Sequence, residues 1–372
     1  MNKKKILTII LIILFIGFVA ERINTNKSDV YEEQNKISIK KNKNMLSMNL
    51  EQTAGAGDYK TVTQSSWPTE GYEFNTELSR CEKGSELSWD DTKKTVIMQG
   101  NVSDKCYVYF DLIPSMTLAE YVISQYTGVQ GENSIYYHNS SLENGAGDNS
   151  YRYAGASDSV NNYICLGSDE ATCPDANLFR IIGVFGDQTK VIRAKSVGDQ
   201  KWNTSKANAW SSSSLNTYLN GEYVTNLGTL ADKIATTTWK VGGGSSTYLY
   251  DVPTTAYQYE VGSSASTTTY EAKIGLMYAS DYGFAASSSA WTTKLSSYSS
   301  NTSKNWLYLG SYEWTISRYS GGTTGAFVVG GSGGVGSDAV TSSCAARPSF
   351  NLESSVKYVS GSGTIENPIR IN

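Results

Sequence analysis

The rhythm of apolar and polar positions divides this chain of 372 residues into stretches that call for different structures. Residues 6–20 (ILTIILIILFIGFVA) are apolar without interruption and follow Lys3, Lys4 and Lys5. Residues 21–57 lose the apolar rhythm, are polar and carry few aromatics, which reads as a flexible tether. From residue 58 to 113 short alternating runs appear, at 59–64, 71–74, 95–99 and 106–110, separated by turn signals such as Trp89-Asp90-Asp91 and Gly100-Asn101. They predict a small all-β module. Residues 114–372 mix periods and are long enough for one large domain. In 115–126 (SMTLAEYVISQY) Leu118, Val122 and Tyr126 recur at helical spacing, with Ser115 as the expected cap. Residues 178–195 (LFRIIGVFGDQTKVIRAK) hold two apolar runs around Gly186-Asp187 and predict a hairpin. Residues 202–227 suggest a short amphipathic helix with a serine cap. Later strands are expected at 236–241, 273–279, 307–317, 326–330 and 345–352, with Ser/Thr-rich loops at 263–269, 287–290 and 296–303.

The N-terminal pattern fixes a compartment. A basic start before a short apolar run is the pattern of an export signal. As a helix the run spans about 22 Å at ~1.5 Å per residue, short of a bilayer core of about 30 Å. It suits a cleaved signal, or an uncleaved N-terminal membrane anchor helped by Lys5 reaching back to the interface. The lysines keep the N-terminus cytoplasmic, so the remainder is expected outside, cell-membrane-tethered or secreted. Cysteine usage agrees. In an exported chain, pairing is the default, and Cys81–Cys106 and Cys165–Cys173 each lie within one local segment. Cys344 is then left over, expected as a buried free thiol. The net charge is −4, and residues 1–60 carry the basic excess. The acidic remainder has no basic stripe, which argues against nucleic acid as a partner.

By their order, several blocks resemble the C-type-lectin-like fold in its formylglycine-generating-enzyme variety, as used in bacterial surface proteins. They are RIIGVF and VIRA in 180–194, W…WSSSSLNTYLNGEY in 202–223, KIGLMYASDYGFA in 273–285, and YEWTISRYSG…AFVVGGSGGVG…ARPSFNL in 312–352. The resemblance implies an α+β chain: a C-type-lectin-like core with long irregular loops, preceded by the small all-β module and an N-terminal apolar helix. It also implies a binding face near the C-terminal loops. The Glu-Pro-Asn, Gln-Pro-Asp and Trp-Asn-Asp motifs of calcium-dependent sugar binding are absent, and Cys344 lacks an evident partner cysteine. Neither chemistry carries over, and no cofactor and no metal are expected.

Chemistry-bearing motifs are few. Residues 326–336 (AFVVGGSGGVG) match both G-x-G-x-x-G and G-x-S-x-G, but no helix pattern follows and no histidine comes later in the chain. A hairpin with glycines at positive φ is the plainer reading. His138 is the single histidine and is expected on a solvent-facing loop. Asp169, Glu170 and Asp175 around Cys173, and Glu143 and Asp148 in NGAGDNS, read as solvated turns, with a calcium site from Asp169 and Asp175 as a second possibility. The compositional bias is 26 Tyr and 8 Trp among small polar residues, the mixture of evolved binding surfaces. Tyr282, Trp291, Trp306, Tyr308, Tyr312 and Tyr319 are the candidate ligand-binding residues, weighed against core packing for each. The expectation is a non-enzymatic surface recognition or adhesion protein binding an extracellular protein or glycan. An extracellular enzyme on a formylglycine-generating-enzyme-like scaffold and a structural appendage component are the alternatives.

Overall fold

A computed structural model describes residues 37–38, 46–63, 67–68, 71–101, 103–113 and 115–372. The apolar run at 6–20 lies outside the described residues; among the described residues no helix is long and apolar enough to cross a membrane. The chain forms two compact units, Met1–Ser115 and Met116–Asn372.

The first unit is all β. Strands β1 (Ile37–Ser38), β7 (Thr95–Gln99) and β6 (Glu86–Asp90) form one sheet. β3 (Tyr59–Val62), β2 (Leu46–Glu51), β8 (Cys106–Leu112) and β4 (Tyr72–Phe74) form another, with β5 (Arg80–Cys81) also on β8. Met48, Val96, Met98, Val108 and Phe110 from both sheets share one core, where Trp89 meets Phe110 edge-on at 5.4 Å. β2 corrects the tether reading over residues 46–51. Its sequence LSMNLE is half polar, yet Met48 and Leu50 are buried and the strand pairs in parallel with β8. Polar Asn49 and Glu51 are buried too, because Asn49 donates to Val108 O and Glu51 accepts from Gly57 and Leu112 N–H. Burial of satisfied polar groups hides a strand from a hydropathy reading. Cys81 and Cys106 stand opposite each other on β5 and β8 and are disulfide-bonded.

The second unit is α+β. Its larger sheet runs β21 (Ser349–Leu352), β13 (Gln188–Arg193), β12 (Leu178–Phe185), β10 (Ser150–Tyr153), β9 (Ile135–His138), with β11 (Tyr163–Cys165) also on β12. β12 is buried along nearly its whole length, so both faces are covered, as its unbroken apolar run requires. The expected hairpin forms, with Phe185 opposite Gln188 and Gly186 at φ +65°. The second sheet runs β14 (Asp199–Lys201), β20 (Ser343–Ala345), β17 (Glu313–Arg318), β18 (Gly325–Val329), β19 (Val335–Ala339). β18 and β19 are the hairpin expected from the glycine-rich motif; Val329 faces Val335, and Gly333 has φ +93°. Two two-stranded pairs, β15 (Thr237–Lys240) with β16 (Thr269–Ala272) and β22 (Tyr358–Ser360) with β23 (Arg370–Ile371), complete the β structure.

Local departures from expectation have local causes. The first helix is Leu118–Ser124, capped by Thr117 rather than Ser115, because Glu120 completes a reciprocal capping box with Thr117. Residues 273–279 are no strand; they lead into the Ala279–Phe284 helix, whose N-terminus is closed by Asp281 accepting from Tyr278 N–H. The serine-rich 296–303 stretch lies in a 3-10 helix, Leu295–Lys304, that buries Leu295, Tyr298 and Asn301. Ser213 does cap the Ser214–Tyr218 helix, as the sequence suggests.

The Cys81–Cys106 bond closes a separation of 25 residues in a unit with a thin core. Replacing both by serine should lower the stability of that unit by about 3 kcal/mol in the chain-entropy account. Thermal unfolding of the full-length chain followed by calorimetry should show one transition moved down, while a transition from the second unit stays in place.

Candidate functional site

Two places in the second unit gather chemistry, one inside and one at the surface. The interior one grows from β10, β13 and the Ala279–Phe284 helix. β10 supplies Arg152, 2% exposed; β13 supplies Lys190, 5% exposed; the helix supplies Asp281, 3% exposed. Lys190 Nζ lies 2.5 Å from Asp281 Oδ2, and Arg152 Nη1 lies 3.6 Å from Asp281 Oδ1. Arg152 Nη2 reaches Asp148 Oδ2 at 2.6 Å. Aromatic faces wall both cations. Lys190 Nζ is 4.7 Å from the Tyr278 ring centre, 5.5 Å from Trp239 and 5.7 Å from Phe185. The Arg152 guanidinium sits over Phe185, Phe284 and Tyr257. A cavity of about 170 Å³ borders the cluster, lined in part by Asp148, Arg152, Lys190, Ser280, Asp281 and Asn351. Burial pulls the Lys190 ammonium below its ordinary value, and Asp281 only partly restores it. Burial alone would raise Asp148, but the Arg152 charge and hydrogen bonds from Ser150 outweigh it and bring it down to about 2. Asp148 is therefore no solvated turn residue; it closes the ion-pair chain.

His138 also departs from its expected loop. It ends β9, is fully buried, accepts Ala146 N–H on Nδ1 at 3.0 Å and packs edge-on against Phe284. Burial, with Arg152 adding repulsion, holds its pKa well below the ordinary value. The apolar neighbours Phe284 and Trp291 are distant in sequence, so only tertiary packing could reveal this.

The surface site is an open groove of about 330 Å³ between the Gly242-Gly243-Gly244-Ser245 loop, Tyr248, Tyr259, Ser264, Ser266, Arg318 and Ser320. Tyr248 and Tyr259 stack nearly parallel with ring centres 3.5 Å apart. The loop runs against the end of β17: Gly244 N–H donates to Arg318 O, and Ser320 N–H donates to Gly244 O. A Cβ on Gly243 would fall 1.9 Å from Arg318 O, and its φ is +60°, so that position accepts only glycine. Arg318 Nε donates to Gly242 O at 3.0 Å. Among the described residues no carboxylate lies within ion-pair distance of this guanidinium. The groove is fixed from below. Tyr259 precedes buried Glu260 and Arg318 follows buried Ser317, and Ser317 Oγ donates to Glu260 Oε1 at 2.5 Å. Glu260 also accepts from Ala279 and Ser280 N–H.

The aromatic residues expected to bind ligand are dispersed. Tyr282, Trp291 and Trp306 are buried, and their polar atoms donate to Gly333 O, Ala286 O and Tyr153 O. Core packing claims these three, so they present no outer face. Tyr308 is half-buried and donates to Gly331 O, while Tyr312 is 58% exposed. Tyr319 is half-buried against Phe327. Tyr312 and Tyr319 flank the two ends of β17, roughly 20 Å apart at about 3.3 Å per residue, so they cannot share one small ligand. The groove residues Tyr248, Tyr259 and Arg318 escaped the sequence reading. The one signal was the Gly242–Gly244 run, which marks close backbone approach but names no partner side chain.

Cys165 and Cys173 are disulfide-bonded, and Cys344 is a buried free thiol pushed up to about 12 by burial, with Asp338 and Asp199 adding to it. Asp175 pairs with Lys195 at the surface. Among the described residues no group of His, Cys, Asp and Glu side chains is placed to hold a metal ion. No protein-family model, curated protein or solved structure matches the chain.

The buried neutral His138 makes a signed prediction. Its folded pKa is depressed, so the unfolded chain binds a proton that the folded chain refuses. Stability from this group is full above about pH 6.5 and is lost as pH falls below it, at about 1.4 kcal/mol per pH unit. Urea titrations of wild type and His138→Gln between pH 7.5 and 5 should show the wild-type advantage shrinking with acid. A pH-independent difference would mean that the imidazole is not held neutral.

Proposed function

We propose that the chain is an exported cell-surface recognition protein, held by its N-terminal segment or secreted, whose second unit is a C-type-lectin-like domain that binds an acidic glycan in the Arg318 groove. Two disulfides fit an extracellular location. The observation that carries the binding reading is an arginine with no carboxylate partner among the described residues, beside a tyrosine stack and several hydroxyls. A guanidinium offers a fork of donors matched to a carboxylate or sulfate. Tyrosine rings pack against the C–H faces of sugars while their hydroxyls bond outward. Ser264, Ser266 and Ser320 supply short hydroxyls that can both donate and accept, suited to a polyol.

The enzyme alternative draws on Cys344 or on converging carboxylates. The buried Cys344 thiol disfavours a thiolate. Asp148 and Asp281 converge at a cavity, but both are committed to Arg152 and Lys190. These commitments support recognition over hydrolysis.

A glycan array probed with the full-length protein should give its strongest signals on uronic-acid, sialylated or sulfated glycans. Arg318→Ala should reduce that binding at least tenfold, the scale of a lost charge-assisted pair, with Tyr248→Ala weakening it further and the far-ultraviolet circular dichroism unchanged. Equal binding by wild type and both variants would sink the groove assignment.

A further inference from the structure

Asn351 on β21 stands directly opposite Lys190 on β13. Opposed residues share one face of a sheet, with Cβ atoms about 5 Å apart, and both of these line the cavity of about 170 Å³. Each has hydrogen-bonding capacity to spare. Asn351 Nδ2 donates to Thr237 Oγ1 at 3.0 Å, while Asn351 Oδ1 is buried with no hydrogen-bond partner among the described residues. Lys190 Nζ carries three N–H donors and makes one hydrogen bond among the described residues, to Asp281 Oδ2. A buried acceptor left unpaired is costly, and a donor brought in by an occupant removes that cost.

Charge, volume and walls each limit the occupant. Arg152 and Lys190 are balanced by Asp148 and Asp281, so a charged ligand would be desolvated without a counter-charge to meet it. A volume of 170 Å³ equals about six waters at ~30 Å³ each, and lies below the ~300 Å³ at which pockets begin to take drug-sized molecules. The rings of Tyr278, Trp239 and Phe185 surround the Lys190 amine, and Val261 adds an aliphatic wall. The matching group is small and neutral, with one donor, one acceptor and an apolar end.

We propose that this cavity receives the acetamido group of an N-acetylated sugar. The acetamido N–H donates to Asn351 Oδ1, its carbonyl accepts from Lys190 Nζ, and its methyl lies against the apolar wall. Water fills such a polar space in the free protein, and the methyl displaces the part of it that has no polar partner. The cavity opens where Thr238 is exposed and Thr237, Lys240 and Val261 are half-buried. Asp148, Thr238 and Lys240 give this side polar groups that suit the hydroxyls of a sugar ring. The alkyl stem of an acetylated lysine would need an apolar channel there instead. None of the cavity's lining residues belongs to the Arg318 groove, so the two sites are tested separately.

Saturation-transfer NMR on the full-length protein, titrated with N-acetylglucosamine, glucose or Nε-acetyl-lysine, tests the proposal. Transfer should be strongest to the acetyl methyl of N-acetylglucosamine and absent for glucose. Asn351→Ala should weaken binding about fivefold, the scale of one hydrogen bond. Val261→Trp, which fills the mouth, should abolish it, with the far-ultraviolet circular dichroism of both variants unchanged. Arg318→Ala should bind N-acetylglucosamine as wild type does. No transfer to N-acetylglucosamine would mean that the cavity holds water only and would overturn the site. So would equal transfer to glucose, preference for Nε-acetyl-lysine, binding that survives Val261→Trp, or binding lost in Arg318→Ala, since the last would place the sugar in the groove.

Discussion

Asp281 sits in the first turn of the Ala279–Phe284 helix, with its carboxylate between a lysine and an arginine that are themselves buried. An isolated charge at such a depth would cost several kcal/mol, and removing one partner leaves the other uncompensated. The three elements that contribute these groups must therefore arrive together. β10 brings Arg152, β13 brings Lys190, and the helix brings Asp281 together with the Tyr278 hydrogen bond that shapes its own N-terminus. Glu313 and Arg347 repeat the constraint elsewhere in the unit. Arg347 meets both carboxylate oxygens, at 2.6 and 2.8 Å, and also donates to Leu307 O at 2.5 Å.

These commitments reach the surface. Glu260 is fully buried and holds the helix start through Ala279 and Ser280 N–H, and it accepts Ser317 Oγ from β17. Its chain neighbour Tyr259 and the neighbour of Ser317, Arg318, both face the groove. A rigid interior hydrogen bond thus sets the spacing of two groove residues that are 59 positions apart in sequence. In the proposed binding role, preorganisation of this kind would lower the entropy lost on binding. The glycine loop serves the same end, since its backbone lies closer to Arg318 than any side chain would permit.

The first unit solves a different problem. With a small core, it relies on a disulfide between directly opposed strands and on buried carboxylates that serve backbone donors. Asp104 accepts from Lys83 and Ser85 N–H, and Glu51 accepts from Gly57 and Leu112 N–H. These bonds replace apolar area that so short a chain cannot bury.

Much of the architecture is local and therefore legible. The β12–β13 hairpin, the β18–β19 glycine hairpin, the Ser213 cap and both disulfides follow from turn chemistry and spacing along the chain. Composition pointed to an aromatic-rich binding surface, whereas Tyr282, Trp291 and Trp306 lie in the interior. Sequence could not separate buried from presented aromatics, because Tyr282, Trp291 and Trp306 satisfy their polar atoms with carbonyls far away in the chain or on an adjoining turn, and so look no different from surface residues. It placed His138 and Asp148 in solvent for the same reason: the groups that bury them, Phe284, Trp291 and Arg152, come together only when the sheet and helix pack. The chain by itself determined the local cysteine pairing and the α+β pattern. The tertiary structure alone decided which charges face one another in the dark, since an ion pair or a groove depends on distances through space that hydrophobic rhythm does not encode.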